Sequence, residues 1–472
     1  MSETIPVHLL PATPTAGKAR KTPAQTGEPI HTRSFTGRFR NWRLAVAGSL
    51  AVLFFGTSWL NMEGRQAVLW DLGERKFHVF NATFWPQDLT LLSALLIISA
   101  FALFAVTVYA GRIWCGYACP QSTWTWAFMW AEKVTEGDRL QRIKLDKAPW
   151  SFNKLAKRTA KHGLWLAMSL ATGIAFIGYF VPVRELTADI LTGQWFTASA
   201  FWVFFIGLFT YGNAGWLREK VCVHMCPYAR FQAVMYDKDT LAVSYNPTRG
   251  ENRGSRKKEE DYQAKGLGDC VDCYLCVQVC PTGIDIRDGL QIDCIGCAAC
   301  IDACDSVMDK MDYPRGLISY ASERTLAGEA APRFRPRLLG YVTAVILMCG
   351  ALAFTVYDRE LTAVNVIKDR TLYRKNSEGH IVNVYRLKLM NKTHEAAHYH
   401  IALRQPDDGG LQLQRQYRIT LASGEIVDLP VSVVQQNGSL YQGAIPFTFV
   451  VQNNADGKAL AEGSSTFVFP TR

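Results

Sequence analysis

CVDCYLCVQVCPTGIDIRDGLQIDCIGCAACIDAC occupies residues 270–304. Cys270, Cys273, Cys276 and Cys280 stand in the spacing C-x2-C-x2-C-x3-C, with Pro281 next. Cys294, Cys297, Cys300 and Cys304 repeat it, each 24 residues after its counterpart. In each half three thiols lie close enough to wrap one inorganic core, while the fourth lies too far along its own turn and reaches the neighbouring core.

This doubled pattern predicts two 4Fe–4S clusters of the bacterial ferredoxin kind. Cluster one takes Cys270, Cys273, Cys276 and Cys304. Cluster two takes Cys294, Cys297, Cys300 and Cys280. Structural zinc calls for four ligands in two pairs, and disulfides call for an oxidising compartment; neither matches a doubled three-plus-one array on a cytoplasmic segment. Asp305 follows Cys304 where Pro281 follows Cys280, which is expected to loosen one turn without removing a ligand.

Working outward, the 472 residues carry a net charge of +10, and 49% of them are hydrophobic. Nucleic acid is one way to use such a charge. Long apolar runs favour a membrane protein with basic inner loops, and no nucleic-acid partner is expected. Five runs, about 42–60, 89–111, 164–182, 195–212 and 338–357, approach the roughly 20 residues that a bilayer requires. Trp42, Trp59, Trp85, Trp195 and Trp216 lie near their ends as an aromatic belt. Residues 1–40 are rich in Pro and basic, and read as a disordered cytoplasmic tail before an uncleaved anchor. Lys and Arg crowd the tail, the loop 112–163 and the segment 213–337, placing these on the cytoplasmic side of a bacterial inner membrane and residues 358–472 in the periplasm.

A second repeat lies inside the membrane part. RIWCGYACPQ supplies Cys115 and Cys119 before Pro120; REKVCVHMCPYARFQ supplies Cys222 and Cys226 before Pro227. Both read C-x3-C-P at the end of an apolar run. On a helix, residues i and i+4 share a face, so each pair is expected to present two sulfurs in one direction. Free Cys is also a common core residue, but two matching pairs beside an electron carrier favour a redox or copper site. His224 and Met225 are further candidate ligands, with ordinary packing as the alternative for each. From Asp269 to Asp312 there are nine Asp, read as a solvated face, with docking onto the basic loops or a basic redox partner as the functional alternative.

Residues 358–472 change character. VNVYRLKLM alternates, and TAVNVI, HYHIAL, LQLQRQYRITLA, EIVDLPVSVV, AIPFTFVV and STFVFP bring the total to seven strand-like runs divided by Gly, Asn and Asp. That pattern predicts an immunoglobulin-like sandwich. His398 and His400 are expected on one strand face, with His394 nearby, as surface histidines rather than a metal site. The chain has no dinucleotide fingerprint, P-loop or haem-attachment motif, so electrons are expected from an external donor.

The domain plan is therefore a tail (1–40), a four-helix region with both C-x3-C-P motifs (41–230), a cytoplasmic segment (231–337) with the ferredoxin at about 260–312, a fifth helix (338–357) and a sandwich (358–472). This order, with RIWCGYACPQ, CPYARFQ and CDSVMDKMDYPRGLISY, resembles the CcoG/FixG/RdxA family of membrane polyferredoxins. The resemblance implies a role in assembling cbb(3)-type cytochrome c oxidase by reducing Cu(II) to Cu(I), alongside copper chaperones or transporters and oxidase assembly factors. Cys115, Cys119, Cys222 and Cys226 are then the copper site. Two other classes stay open: an electron carrier between a quinol or soluble donor and a partner with no metal substrate, and an iron–sulfur redox sensor.

Overall fold

The computed structural model describes residues 29–469 apart from 63, 331, 333, 359–360, 370–372, 377–378, 394, 406–409, 423, 436–442 and 454–456. The chain divides into two compact units, Met1–Gly350 and Ala351–Arg472.

The first unit is built on apolar helices. α1 (Arg38–Thr57) is followed by α2 (Leu89–Ala110), the short α3 (Ile113–Tyr117) and α4 (Pro120–Glu136). α5 (Phe152–Ile177) packs along α6 (Ala198–Thr210), which continues in wider π-type turns to Leu217. At their crossing a Cβ on Gly173 would lie 2.4 Å from the Val203 carbonyl oxygen. Small residues allow this close approach, through which helices in lipid gain dispersion contact. α7 (Pro227–Met235) and α8 (Ala299–Met311) follow, and α9 (Pro336–Tyr357) leads out of the unit.

Among the described residues four helices are long and apolar enough to cross a bilayer: α2, α5, α6 with its extension to Leu217, and α9. The expected count of five is corrected at α1. It forms a helix of 20 residues, but Arg38, Arg40 and Arg43 occupy its first two turns. The apolar remainder, residues 44–57, is about 21 Å long at about 1.5 Å per residue, short of a hydrocarbon core of about 30 Å. Its ends are nonetheless anchored far apart. Phe39 N and Arg40 N donate to the Asp302 carboxylate on α8, at 3.1 and 2.7 Å. Thr57 Oγ1 meets Tyr179 OH, just past the end of α5, at 2.6 Å. The loop 61–88 folds into small antiparallel sheets at that same end, where Trp70 N donates to Tyr179 O at 2.7 Å.

The tail expectation also needs correction. Residues 1–28 lie outside the described residues, but 29–37, which form neither helix nor strand, are fastened, because their backbone groups find partners. Arg33 N donates to Gln278 O at 2.9 Å, Ser34 N to Asp138 Oδ1 at 3.0 Å, and Arg142 Nη2 to Thr32 O at 2.6 Å.

The basic loop 112–163 spends much of its charge internally. Buried Glu132 accepts from buried Arg142 at 2.6 Å and from Arg218. Buried Glu136 forms ion pairs with Lys161 at 3.1 Å and Arg158 at 3.0 Å. Glu132→Ala strands two guanidiniums in a low-dielectric setting, so it should cost about 3–5 kcal/mol of stability. A thermal unfolding series in detergent should show a lower midpoint; an unchanged midpoint would show that the pairs carry little stability.

The second unit is a two-sheet antiparallel sandwich. One sheet runs in the order 411–413, 426–435, 381–391, 362–368, with 374–375 also on 381–391; the other runs 417–421, 397–404, 444–453, 459–468. Tyr385, Leu387 and Leu389 point inward with Arg386 and Lys388 exposed, as the alternation predicts. Tyr385, Phe447, Phe449 and Phe467 fill the core. The run LQLQRQYRITLA is not one strand: 411–413 and 417–421 belong to opposite sheets. Together with 374–375, this gives nine strands among the described residues where seven runs were expected.

Candidate redox centre

The 24-residue sequence repeat is also a backbone repeat. Asp272 and Gly296, and likewise Tyr274 and Ala298, are equivalent positions with φ of 50°, 66°, 55° and 59°. These left-handed residues curl each loop, and each loop then enters a helix: Leu275–Gln278 in the first half, α8 in the second. Pro281 follows the first helix, since proline cannot continue it. Asp305 imposes no such stop. The expectation of a loosened turn is corrected: α8 runs unbroken through Cys304 and Asp305 to Met311, and Asp305 Oδ1 accepts from Gly316 N at 3.1 Å.

The loops bring the thiols into two groups. Cys270, Cys273, Cys276 and Cys304 line one small pocket, with Met308, Leu317 and Ile318 as apolar walls. Cys280, Cys294, Cys297 and Cys300 form the other group: burial raises the thiol pKa of Cys300, and Cys294, Cys297 and Cys280 raise it further. Burial also pushes Cys304 and Cys294 up to about 12. Buried thiols that repel one another as thiolates stay protonated until a cationic core displaces the protons. In residue type both donor sets fit a cationic iron–sulfur core, although the side chains as placed do not already form a metal-gripping cluster among the described residues.

The membrane-edge cysteines are arranged differently from the one-face helical expectation. Cys115 lies in α3, but Cys119 is the extended residue that begins α4, with φ −62° and ψ 128°. Cys222 lies in a π-type turn, and Cys226 is the extended residue that begins α7, with φ −79° and ψ 112°. Proline is the reason. Pro120 and Pro227 are first residues of their helices and bias the preceding residue away from helical backbone. The four thiols lie within electrostatic reach of one another, although among the described residues no three cysteines are drawn together closely enough to grip a metal ion. Burial pushes Cys115 up to about 12, and the charges of Cys119, Cys222 and Cys226 all act on it. Cys222 is pushed up to about 11 by burial, then by Cys119 and Cys226. Cys115 Sγ also lies 3.4 Å from Oε1 of buried Gln232.

This thiol group abuts the second ferredoxin loop. A Cβ on Gly116 would lie 2.6 Å from the Gly296 carbonyl oxygen and 3.0 Å from Cys297 Cα, so only glycine permits this approach. Arg112 clamps the junction. It is buried, and it donates to the carbonyls of Ile292, of Cys294 at 3.2 Å and of Ala229. Tyr320 OH donates to Gly296 O at 2.6 Å.

A 4Fe-4S dicluster domain family matches residues 217–323, a 4Fe-4S binding domain family matches 92–125, and the immunoglobulin-like fold at the C-terminus of FixG matches 352–470. The chain is 38% identical to protein RdxB of Cereibacter sphaeroides, covering 87% of this chain and 90% of that protein. It is 34% identical to nitrogen fixation protein FixG of Rhizobium meliloti, covering 90% of each. Protein RdxA of Cereibacter sphaeroides is 37% identical, covering 86% of each. The chain belongs to the FixG family. It is an iron–sulfur electron-transfer protein of the membrane, with a ferredoxin unit and an immunoglobulin-like C-terminal unit.

Other candidates fare unevenly in this FixG-family chain. His224 and Met225 are exposed beside half-buried thiols. His398 and His400 lie on the outer side of one strand, with His398 Nδ1 2.7 Å from Thr420 Oγ1; His394 lies outside the described residues. The acidic run is largely committed. Asp269 pairs with Arg249, Asp272 and Asp285 with Arg287, Asp309 with Arg315 and Asp312 with Lys258. Asp302 does dock, onto the amide end of α1. Arg112, Gly116, Gln232 and Asp302 were absent from the sequence-derived site. The one signal for Arg112 and Gly116 was their place within the motif RIWCGYACPQ.

Proposed function

We propose that electrons enter at the ferredoxin unit and leave at Cys115, Cys119, Cys222 and Cys226, where the substrate Cu(II) is reduced to Cu(I) for assembly of a cbb(3)-type cytochrome c oxidase. Cys270, Cys273, Cys276 and Cys304 hold cluster one; Cys294, Cys297, Cys300 and Cys280 hold cluster two. When bound, each cluster supplies a reversible one-electron couple. Reduction of Cu(II) takes one electron and no proton. Soft thiolates prefer Cu(I) to Cu(II), which favours uptake of that electron. Cys119 and Cys226 each stand at the start of a helix. The electron donor is external, and a copper chaperone or transporter and oxidase assembly factors are the partners.

The observation that carries this reading is the packing of Gly116 on Gly296 and Cys297. Gly116→Val forces the two segments apart. It should leave iron and sulfide content unchanged and slow Cu(II) reduction several-fold under anaerobic conditions. Normal reduction by a fully loaded variant would show that electrons do not pass here.

A second reading is favoured by one observation. The 4Fe-4S binding domain match at 92–125 includes Cys115 and Cys119. The four thiols would then hold a third 4Fe–4S cluster, and the protein would carry electrons with no metal substrate. Orientation belongs to the same proposal: the ferredoxin unit is cytoplasmic and the C-terminal unit periplasmic, with one candidate span, α9, between them in sequence. Reporter fusions at Gly254 and Gly424 should report opposite faces, and a shared face would contradict this orientation.

A further inference from the structure

An open cleft of about 650 Å³ lies where residues 32–43, α4 and the ferredoxin loops meet. Its lining is strongly basic: Arg33, Arg40, Arg43, Lys133 and Arg142, against one carboxylate, Asp138. Arg142 is neutralised by Glu132, and Asp138 accepts from the Ser34 amide. Arg33, Arg40, Arg43 and Lys133 have no ion pair among the described residues.

Arg43 decides what the cleft takes. It is only 4% exposed. Its guanidinium lies over the Trp126 ring, 5.6 Å from the centroid, and makes one hydrogen bond, at 3.4 Å, to the Ser122 carbonyl oxygen. A buried cation with no counter-ion is costly. An anion entering the cleft would supply that counter-ion, with Arg40 and Lys133 beside it.

We propose that this cleft binds the phosphate of an anionic phospholipid headgroup. Two features choose a lipid over a soluble anion. Trp126, Met129 and Trp130 form an apolar lip to the cleft, and Trp130 is 54% exposed. Tryptophan of this kind settles at the headgroup level of a bilayer. Arg40 and Arg43 also stand at the start of α1, and Leu50, two turns beyond Arg43 on the same side of the helix, is exposed. A phosphate held by these arginines therefore has apolar protein surface leading away from it for the acyl chains. On the inner side the cleft is walled by Pro281 and Ala299, the chain neighbours of Cys280 and Cys300. The headgroup would tie α1, α4 and the second ferredoxin loop together at the membrane surface.

The test is native mass spectrometry of the full detergent-purified chain, titrated separately with phosphatidylglycerol, phosphatidylcholine and inorganic phosphate. Phosphatidylglycerol should bind the wild type more tightly than phosphatidylcholine. An Arg40→Gln/Lys133→Gln variant should lose about five-fold in phosphatidylglycerol affinity per charge removed. Its phosphatidylcholine binding and iron content should not change. Arg43→Gln should lose more, and if it does not fold, the double variant decides alone. Equal binding of the two lipids, or no loss in the double variant, would overturn the proposal. So would displacement of phosphatidylglycerol by inorganic phosphate at matched concentration, which would mark the cleft as a site for a free anion.

Discussion

A Cys115→Ser/Cys222→Ser double variant should retain its ferredoxin iron and sulfide while Cu(II) binding and reduction fall to background. Each substitution removes one thiol from a C-x3-C-P pair and leaves Cys119 and Cys226, the two at the starts of α4 and α7. The ferredoxin loops keep all eight of their own cysteines. The substitutions are conservative in volume at half-buried positions, so the packing of α3 on the Gly296 loop should persist. Iron analysis and a Cu(I)-specific chelator assay read the two halves of the expectation separately. Unchanged reduction with intact clusters would place copper chemistry elsewhere on the protein.

Cys280→Ser should have an effect of similar size by a different route. Cys280 belongs to the first half of the repeat by sequence, yet its thiol is raised by burial and next by Cys297 of the second half. Its loss should strip cluster two and leave cluster one, taking iron from about eight to about four per chain. Cu(II) reduction should then collapse even though cluster one still accepts electrons, because the loop that packs on Gly116 belongs to cluster two. Electron paramagnetic resonance of the dithionite-reduced protein should lose one of two signals. Retention of both signals, or reduction at the parental rate, would show that the crossed ligand arrangement is wrong.

Much of this organisation was readable from particular residues. The doubled cysteine spacing directly encodes two curled loops, and the positive φ at Asp272, Tyr274, Gly296 and Ala298 is the backbone that the spacing demands. The alternation from Tyr385 to Leu389 gave the inward face of its strand because a strand has period two. Other features depend on contacts distant in sequence. The run 42–60 reads as a span by length, but its helix begins at Arg38 and carries three arginines, of which Arg40 and Arg43 line the basic cleft. Residues 29–37 have a disordered composition, and only partners on other segments, such as Gln278, Asp138 and Arg142, make them ordered. The C-x3-C pairs seemed to call for one helix face. The prolines that follow them were the local signal against it, since each turns the second cysteine into an extended helix start. The nine aspartates look like a free acidic face until Arg249, Arg287, Arg315, Lys258 and the amide end of α1 are brought to them.

The most direct measurement is the iron, acid-labile sulfide and copper content of the full chain purified anaerobically, before and after one equivalent of Cu(II) is added to the reduced protein. The account predicts about eight irons and eight sulfides per chain, from two four-iron clusters. It also predicts one bound Cu(I) that disappears in the Cys115→Ser/Cys222→Ser variant. About twelve irons and twelve sulfides, with no copper retained, would contradict it and assign the four membrane-edge thiols to a third cluster.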